Sequence, residues 1–201
     1  KAKVLGWVGC TSSIRLPELA QGFYESMKKI LGEDFTVLGS REWCCGKPAF
    51  LLGGIEAARI LAEESNKRIA ETGANIIVTP CPACYSAFKY EQREIYGVNP
   101  PSENILHFTE YIHDLMDKGR IYFKENSGNE LPRKIIYHDP CELGRGVGIY
   151  DEPRDILSAI PGIEVLEFDD VRQDSVCCGG GGGMWGIYPE ISMSVARLKV
   201  K

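Results

Sequence analysis

Asn75-Ile76-Ile77-Val78-Thr79-Pro80-Cys81-Pro82-Ala83-Cys84 decides the fold of this chain. Asn75–Thr79, with its β-branched run, reads as a strand, and Pro80 breaks it. Cys81-Pro82-Ala83-Cys84 then opens a helix predicted over Ala83–Ile95. Backbone N–H groups and the helix dipole stabilise thiolates at such a turn. The same plan recurs at Lys3–Gly9, an apolar strand ending at Cys10, and at Lys134–His138, ending near Cys141.

Working outward, Leu16, Leu19, Ala20, Phe23, Met27, Ile30 and Leu31 recur at helical spacing, with Pro17 in the first turn. Phe35–Leu38 is the next strand, Gly53–Thr72 a helix stopped by Gly73, and His107–Lys118 a further helix. After the polar stretch Glu125–Leu131 the order restarts: strand to Cys141, helix at Pro153–Ile160, strand at Ile163–Phe168, helix from Pro189. Alternating strands and helices predict an α/β fold of two pseudo-repeated, Rossmann-like units with mostly parallel sheets. The expected division is a first unit over 1–124, a linker over 125–133 and a shorter second unit over 134–201. Ligands of such sheets bind beyond the carboxyl ends of the strands, so one sheet end can gather cysteines far apart in the chain.

All eight cysteines belong to this repeat. Cys10, Cys44-Cys45-Gly46 and Cys81-Pro82-Ala83-Cys84 form one copy; Cys141 and Cys177-Cys178-Gly179 form the other. The gaps match: 33 residues separate Cys10 from Cys44, and 35 separate Cys141 from Cys177. A disulfide framework suits small cysteine-dense chains, whereas eight cysteines here sit among ample core residues. Adjacent thiols face one centre only in irregular backbone, which the following glycine permits. A zinc site closes on four ligands, so zinc stands as an alternative; five thiols favour a cluster of several irons. The Cys81–Cys84 pair alone also fits a thiol–disulfide oxidoreductase, which leaves Cys10, Cys44 and Cys45 without a role.

Other features read as structural. Gly179–Gly183 fits neither the phosphate-loop nor the dinucleotide glycine spacing, and suits close backbone approach to a cluster or its substrate. His138, three residues before Cys141, reads as a strand-end histidine satisfied by backbone, with a donor to the site's ligands or a proton source as the alternative; His107 and His113 read as structural residues of one helix, and Asp169-Asp170, with Asp174 nearby, as solvated charge. A net charge of -5 with no basic run gives no support for nucleic-acid binding. No apolar run reaches the roughly 20 residues that span a bilayer. The expectation is a cytoplasmic chain, associated with a membrane only through a partner.

The array Cys10…Cys44-Cys45-Gly46…Cys81-Pro82-Ala83-Cys84, followed by Tyr137-His138-Asp139-Pro140-Cys141, Gly144-Arg145 and Cys177-Cys178-Gly179, resembles the CCG (cysteine-rich) domain family. That family includes heterodisulfide reductase subunits B and D and the iron–sulfur subunits of glycolate oxidase, anaerobic glycerol-3-phosphate dehydrogenase and lactate utilisation. The resemblance implies an oxidoreductase subunit. It implies noncubane [4Fe-4S] ligation by Cys10, Cys44, Cys45, Cys81 and Cys84, with Cys141, Cys177 and Cys178 as a second, provisional set. Gly46 and Gly179 would approach the cofactor. Implied partners are an iron–sulfur or flavin electron donor subunit and a small disulfide substrate. The second copy's Cys-x-x-Cys would fall beyond Lys201, so the chain reads as a fragment whose second site is labile and lost in air.

Overall fold

A computed structural model of the chain describes residues 2–124 and 134–200. Two compact units result, Lys1–Tyr111 and Ile112–Lys201. The linker expected over 125–133 lies outside the described residues.

The first unit runs β1 (Val4–Gly6), α1 (Cys10–Arg15), α2 (Pro17–Leu31), β2 (Phe35–Val37), α3 (Lys47–Leu51) and α4 (Ile55–Thr72). It continues with β3 (Ile76–Thr79), α5 (Pro82–Ser86), a π-helical turn over Ala87–Glu91, α6 (Gln92–Glu94) and β4 (Ile105–His107). The helix α7 (Phe108–Asp117) starts directly after β4. All strand pairs are parallel and the sheet order is β2-β1-β3-β4. Val4 therefore faces Phe35 on one side and Ile76 on the other. The chain leaves β1 one way to make β2, then returns past it to make β3. This reversal between β1 and β3 opens a crevice at their carboxyl ends. Leu5, Ile77 and Val78 are wholly buried, as apolar strands covered on both faces must be.

Phe23 of α2 meets the rings of Phe35 and Phe108 edge-on, at 6.1 and 5.4 Å. Ala58, Ala62 and Ile69 bury one stripe of α4, and Gly73 ends it in the left-handed conformation. Trp7, just past β1, packs edge-on to Phe88 at 4.8 Å.

The second unit holds β5 (Lys134–Tyr137), α8 (Gly144–Val147), α9 (Asp151–Ser158), β6 (Glu164–Glu167), α10 (Met184–Ile187) and α11 (Pro189–Lys199). β5 and β6 pair in parallel, with Lys134 opposite Glu164. They repeat the β1–β2 arrangement on a more exposed pair of strands.

The α/β class and parallel sheets follow the sequence reading. Three details depart from it. His107 ends a strand rather than joining a helix with His113. The helix after Cys81 is interrupted by its π turn. The short helices α1 and α3 begin at Cys10 and just after Gly46, where a loop was expected after the doublet. No helix among the described residues is long and apolar enough to cross a membrane.

Candidate metal centre

Cys10, Cys44, Cys45, Cys81 and Cys84 meet at the carboxyl end of the four-stranded sheet. Cys10 follows β1, the doublet follows β2, and the Cys-x-x-Cys follows β3. Their side chains shift one another's acidity in one connected series: Cys10 with Cys44, Cys44 with Cys45, Cys45 with Cys84, and Cys84 with Cys81. No cysteine is bridged: all eight are free thiols. Cys45 and Cys84 are buried, Cys44 and Cys81 half-buried, and Cys10 exposed at the mouth.

The five thiols differ in acidity. Hydrogen bonds from Cys44 and then Cys84, with the Lys47 N–H, hold the Cys45 thiol down at about 5. The Cys84 thiol, then burial set against the N–H groups of Cys84 and Ala83, leaves Cys81 at about 7. Cys84 is pushed well up by bonding to Cys45 and Cys81 and by burial. Cys10 rises because it bonds to Cys44 and is partly desolvated. Cys44 accepts from Cys10 but donates to Cys45, and the net effect is upward. Cys45 and Cys81 are therefore the acidic thiols of the five, each next to the N–H groups that open a helix.

Local backbone explains how adjacent thiols join this series. Gly46 has φ 92°, and a Cβ there would stand 2.8 Å from the Ala58 carbonyl oxygen of α4. Gly179 repeats the device: φ is 78° and a Cβ would stand 2.5 Å from the Ser192 carbonyl oxygen of α11. In both copies only a glycine lets the doublet loop press against the second helix that follows it.

The second thiol set is looser. Cys141 is half-buried, Cys177 and Cys178 are exposed, and burial followed by the charges of Cys177 and nearby groups raises the Cys141 thiol. Gly179 N–H reaches Cys177 Sγ at 3.3 Å and Gly180 N–H reaches Cys178 Sγ at 3.4 Å. Bidentate Arg154 ties buried Asp139 at 2.6 and 2.7 Å, and Arg145 holds the carbonyls of Gln173 and Ser175. These contacts fix the loops that carry the three cysteines.

Each histidine has its own partners or lack of them. His107 is buried, with its ring bonded to Thr109 Oγ1 and the Pro80 carbonyl. His113 pairs with Asp155 at 2.9 Å. His138 meets Ser175 Oγ at 3.4 Å, and its buried Nε2 has no hydrogen-bond partner, so backbone groups do not satisfy it. Sequence reasoning missed two groups beside the site. Glu42 binds the backbone N–H groups of Val8 and Gly9, and Lys47 pairs with Glu91. Neither carries a motif; only the nearness of Glu42 and Lys47 to the doublet could have flagged them.

The donor set fits an iron–sulfur cofactor. Five soft sulfur donors converge, and Gly9 leaves room beside them: a Cβ there would stand 3.4 Å from both Cys81 Cβ and Cys84 Sγ. Among the described residues no three His, Cys, Asp or Glu side chains are arranged as the shell of a single metal ion.

Comparison with known proteins gives the same picture. The cysteine-rich domain (CCG) family matches over residues 4–89 and 135–201. The D polypeptide of dihydromethanophenazine:CoB–CoM heterodisulfide reductase from Methanosarcina acetivorans is 36% identical over the whole chain, covering 48% of that protein. An EtfAB:quinone oxidoreductase of Syntrophomonas wolfei is 32% identical over 89% of the chain and 24% of its own length. A probable iron–sulfur-binding oxidoreductase of Bacillus subtilis is 33% identical over 97% of the chain and 27% of its own. The chain spans about half the length, or less, of the curated relatives it matches.

Proposed function

The chain belongs to the cysteine-rich CCG domain family, and from that premise we propose that it is the cluster-binding part of an iron–sulfur oxidoreductase of heterodisulfide reductase type. Cys10, Cys44, Cys45, Cys81 and Cys84 would hold a [4Fe-4S] cluster of the noncubane kind, and Cys141, Cys177 and Cys178 part of a second. The observation that carries this reading is the gathering of the five thiols just past the carboxyl ends of β1, β2 and β3, with Gly9 beside Cys81 and Cys84. The bound cluster would supply one-electron steps to a small disulfide, fed by a partner subunit.

The chain's own groups set the conditions. Cys45 and Cys81 offer thiolates near neutral pH, so ligation displaces few protons there. Backbone N–H groups of Lys47, Ala83 and Cys84 point at those sulfurs, and hydrogen bonds to ligand sulfur raise a cluster's potential. Exposed Cys10 marks the side from which substrate would enter.

Anaerobic purification with iron and sulfide analysis tests the reading. We expect stoichiometric iron, lost on replacing any of the five cysteines by serine. A chain that keeps eight free thiols and takes up no iron on reconstitution would sink it.

One observation favours a second reading. Cys81 is acidic and its partner Cys84 is not, as in a thiol–disulfide oxidoreductase pair. That reading requires activity to survive replacement of Cys10 or Cys45. An electron-transfer role for a hydroxy-acid or quinone-linked dehydrogenase would keep the ligand set and change only the redox partner.

A further inference from the structure

The two copies of the repeat share a contact that no cysteine makes. Glu42, two residues before the first doublet, accepts the Val8 N–H at 2.9 Å on one oxygen and the Gly9 N–H at 2.6 Å on the other. Val8 in turn lies two residues before Cys10. Ser175, two residues before the second doublet, donates its hydroxyl to the Asp139 carbonyl at 3.3 Å, and Asp139 lies two residues before Cys141. A carboxylate makes the tie in one copy and a hydroxyl in the other, and the bond runs in opposite senses. Both nevertheless join the same two points of the repeat.

In the first unit the contact ties together the loops that carry the cysteines. It crosses 33 to 34 positions of chain to bind the loop of Cys10 to the loop of Cys44. Gly9, which it holds, lies against Cys81 and Cys84. The Gly9 carbonyl accepts the Ser13 N–H at 3.0 Å and the Ser13 hydroxyl at 2.9 Å, so the start of α1 is fixed to the same point. In the second copy Asp139 adds a further tie, accepting the Arg172 N–H at 2.7 Å across to the loop after β6.

We propose that Glu42 and Ser175 are positioning residues that set the spacing of the lone-cysteine and doublet loops, and that Glu42 is what places Cys10 within reach of Cys44. The inference rests on the reading of the five cysteines as one ligand set. A carboxylate that merely satisfied two buried N–H groups would affect stability alone; a positioning group must change which thiols meet.

That difference is measurable without a cofactor. The reduced, iron-free chain is briefly oxidised with diamide and its cysteine pairs are mapped by mass spectrometry. The wild-type chain should form Cys10–Cys44 and Cys81–Cys84 pairs. In Glu42→Ala the yield of Cys10–Cys44 relative to Cys81–Cys84 should fall at least tenfold, while far-UV circular dichroism is kept. Glu42→Gln, which retains one acceptor oxygen, should fall between the two. Iron retained after reconstitution should follow the same order. An unchanged ratio in either variant, or no Cys10–Cys44 pair in the wild type, overturns the proposal. If Glu42→Ala does not fold, Glu42→Gln alone decides by the same ratio. A ratio that falls in the variants while the wild-type chain itself takes up no iron keeps the positioning role and refutes the ligand-set reading. Iron uptake with an unchanged ratio does the reverse.

Discussion

Lys47 Nζ and Glu91 Oε1 form an ion pair across 44 positions of chain, with side chains only 8% and 11% exposed. Lys47 directly follows the first doublet and its glycine. Glu91 ends the π turn, which places it over Ser86, five residues earlier, for a 2.7 Å bond from the Ser86 hydroxyl. The Tyr96 hydroxyl binds the second Glu91 oxygen at 3.2 Å. An α-helical turn would carry Glu91 round to another face.

Breaking one side of this pair strands a buried charge. Lys47→Met should lower the stability of the iron-free chain by about 3–5 kcal/mol. The double variant Lys47→Met with Glu91→Gln should recover most of that loss, because no uncompensated charge remains. Urea unfolding of the three chains measures both; equal losses in the single and double variants would contradict the account.

Gly46→Ala meets two penalties, a positive φ and the Ala58 carbonyl at 2.8 Å. The conformational cost alone is about 1–2 kcal/mol, and the clash adds to it. Gly53→Ala is the control: its φ is +83° but nothing lies within 4 Å of the new Cβ. Thermal melting should rank Gly46→Ala well below Gly53→Ala, and only the former should lose iron.

Burial pushes the His107 imidazole down to about 4, against 6.5 when free. Between those values the unfolded chain binds a proton that the folded chain refuses. Stability is complete above about pH 6.5 and falls as pH drops towards 4, by up to about 3 kcal/mol. Melting curves from pH 7.5 to 4.5 should show this loss, and His107→Gln should flatten it.

Thiol labelling separates acidity from exposure. Cys10 is the more exposed, yet its thiol is raised, whereas half-buried Cys81 stands at about 7. Iodoacetamide at pH 7 should modify Cys81 before Cys10 in the iron-free chain, with a Cys81 rate that rises through pH 7. Mass spectrometry of early time points reads the order; Cys10 reacting first would reject it.

Much of the fold was legible because its signals are local. Pro80 after Ile76–Thr79, Gly73 after α4 and a glycine after each doublet state their own conformations. The strand-end cysteines then located the crevice. β4 was hidden because Ile105-Leu106-His107 runs into α7 with no turn residue between them. α1 and α3 were hidden by their shortness and by starts at or beside cysteines, which carry no helix signal. The π turn shifts helical period without any proline or glycine to announce it. Glu42 was invisible for a different reason: its partners are main-chain N–H groups, which any sequence supplies.

The sheet order has a consequence for how the chain is made. β1 pairs with β3, so Val4 must find Ile76, 72 positions later, after β2 has already taken the other side. Such non-local pairing is slow relative to helix formation. On a growing chain, Cys10, Cys44 and Cys45 are therefore synthesised and left uncovered before Cys81 and Cys84 exist to join them. A five-cysteine ligand set of the kind proposed would be complete only after the crossover that brings β3 beside β1, and until then the fold gives the nascent thiols no cover.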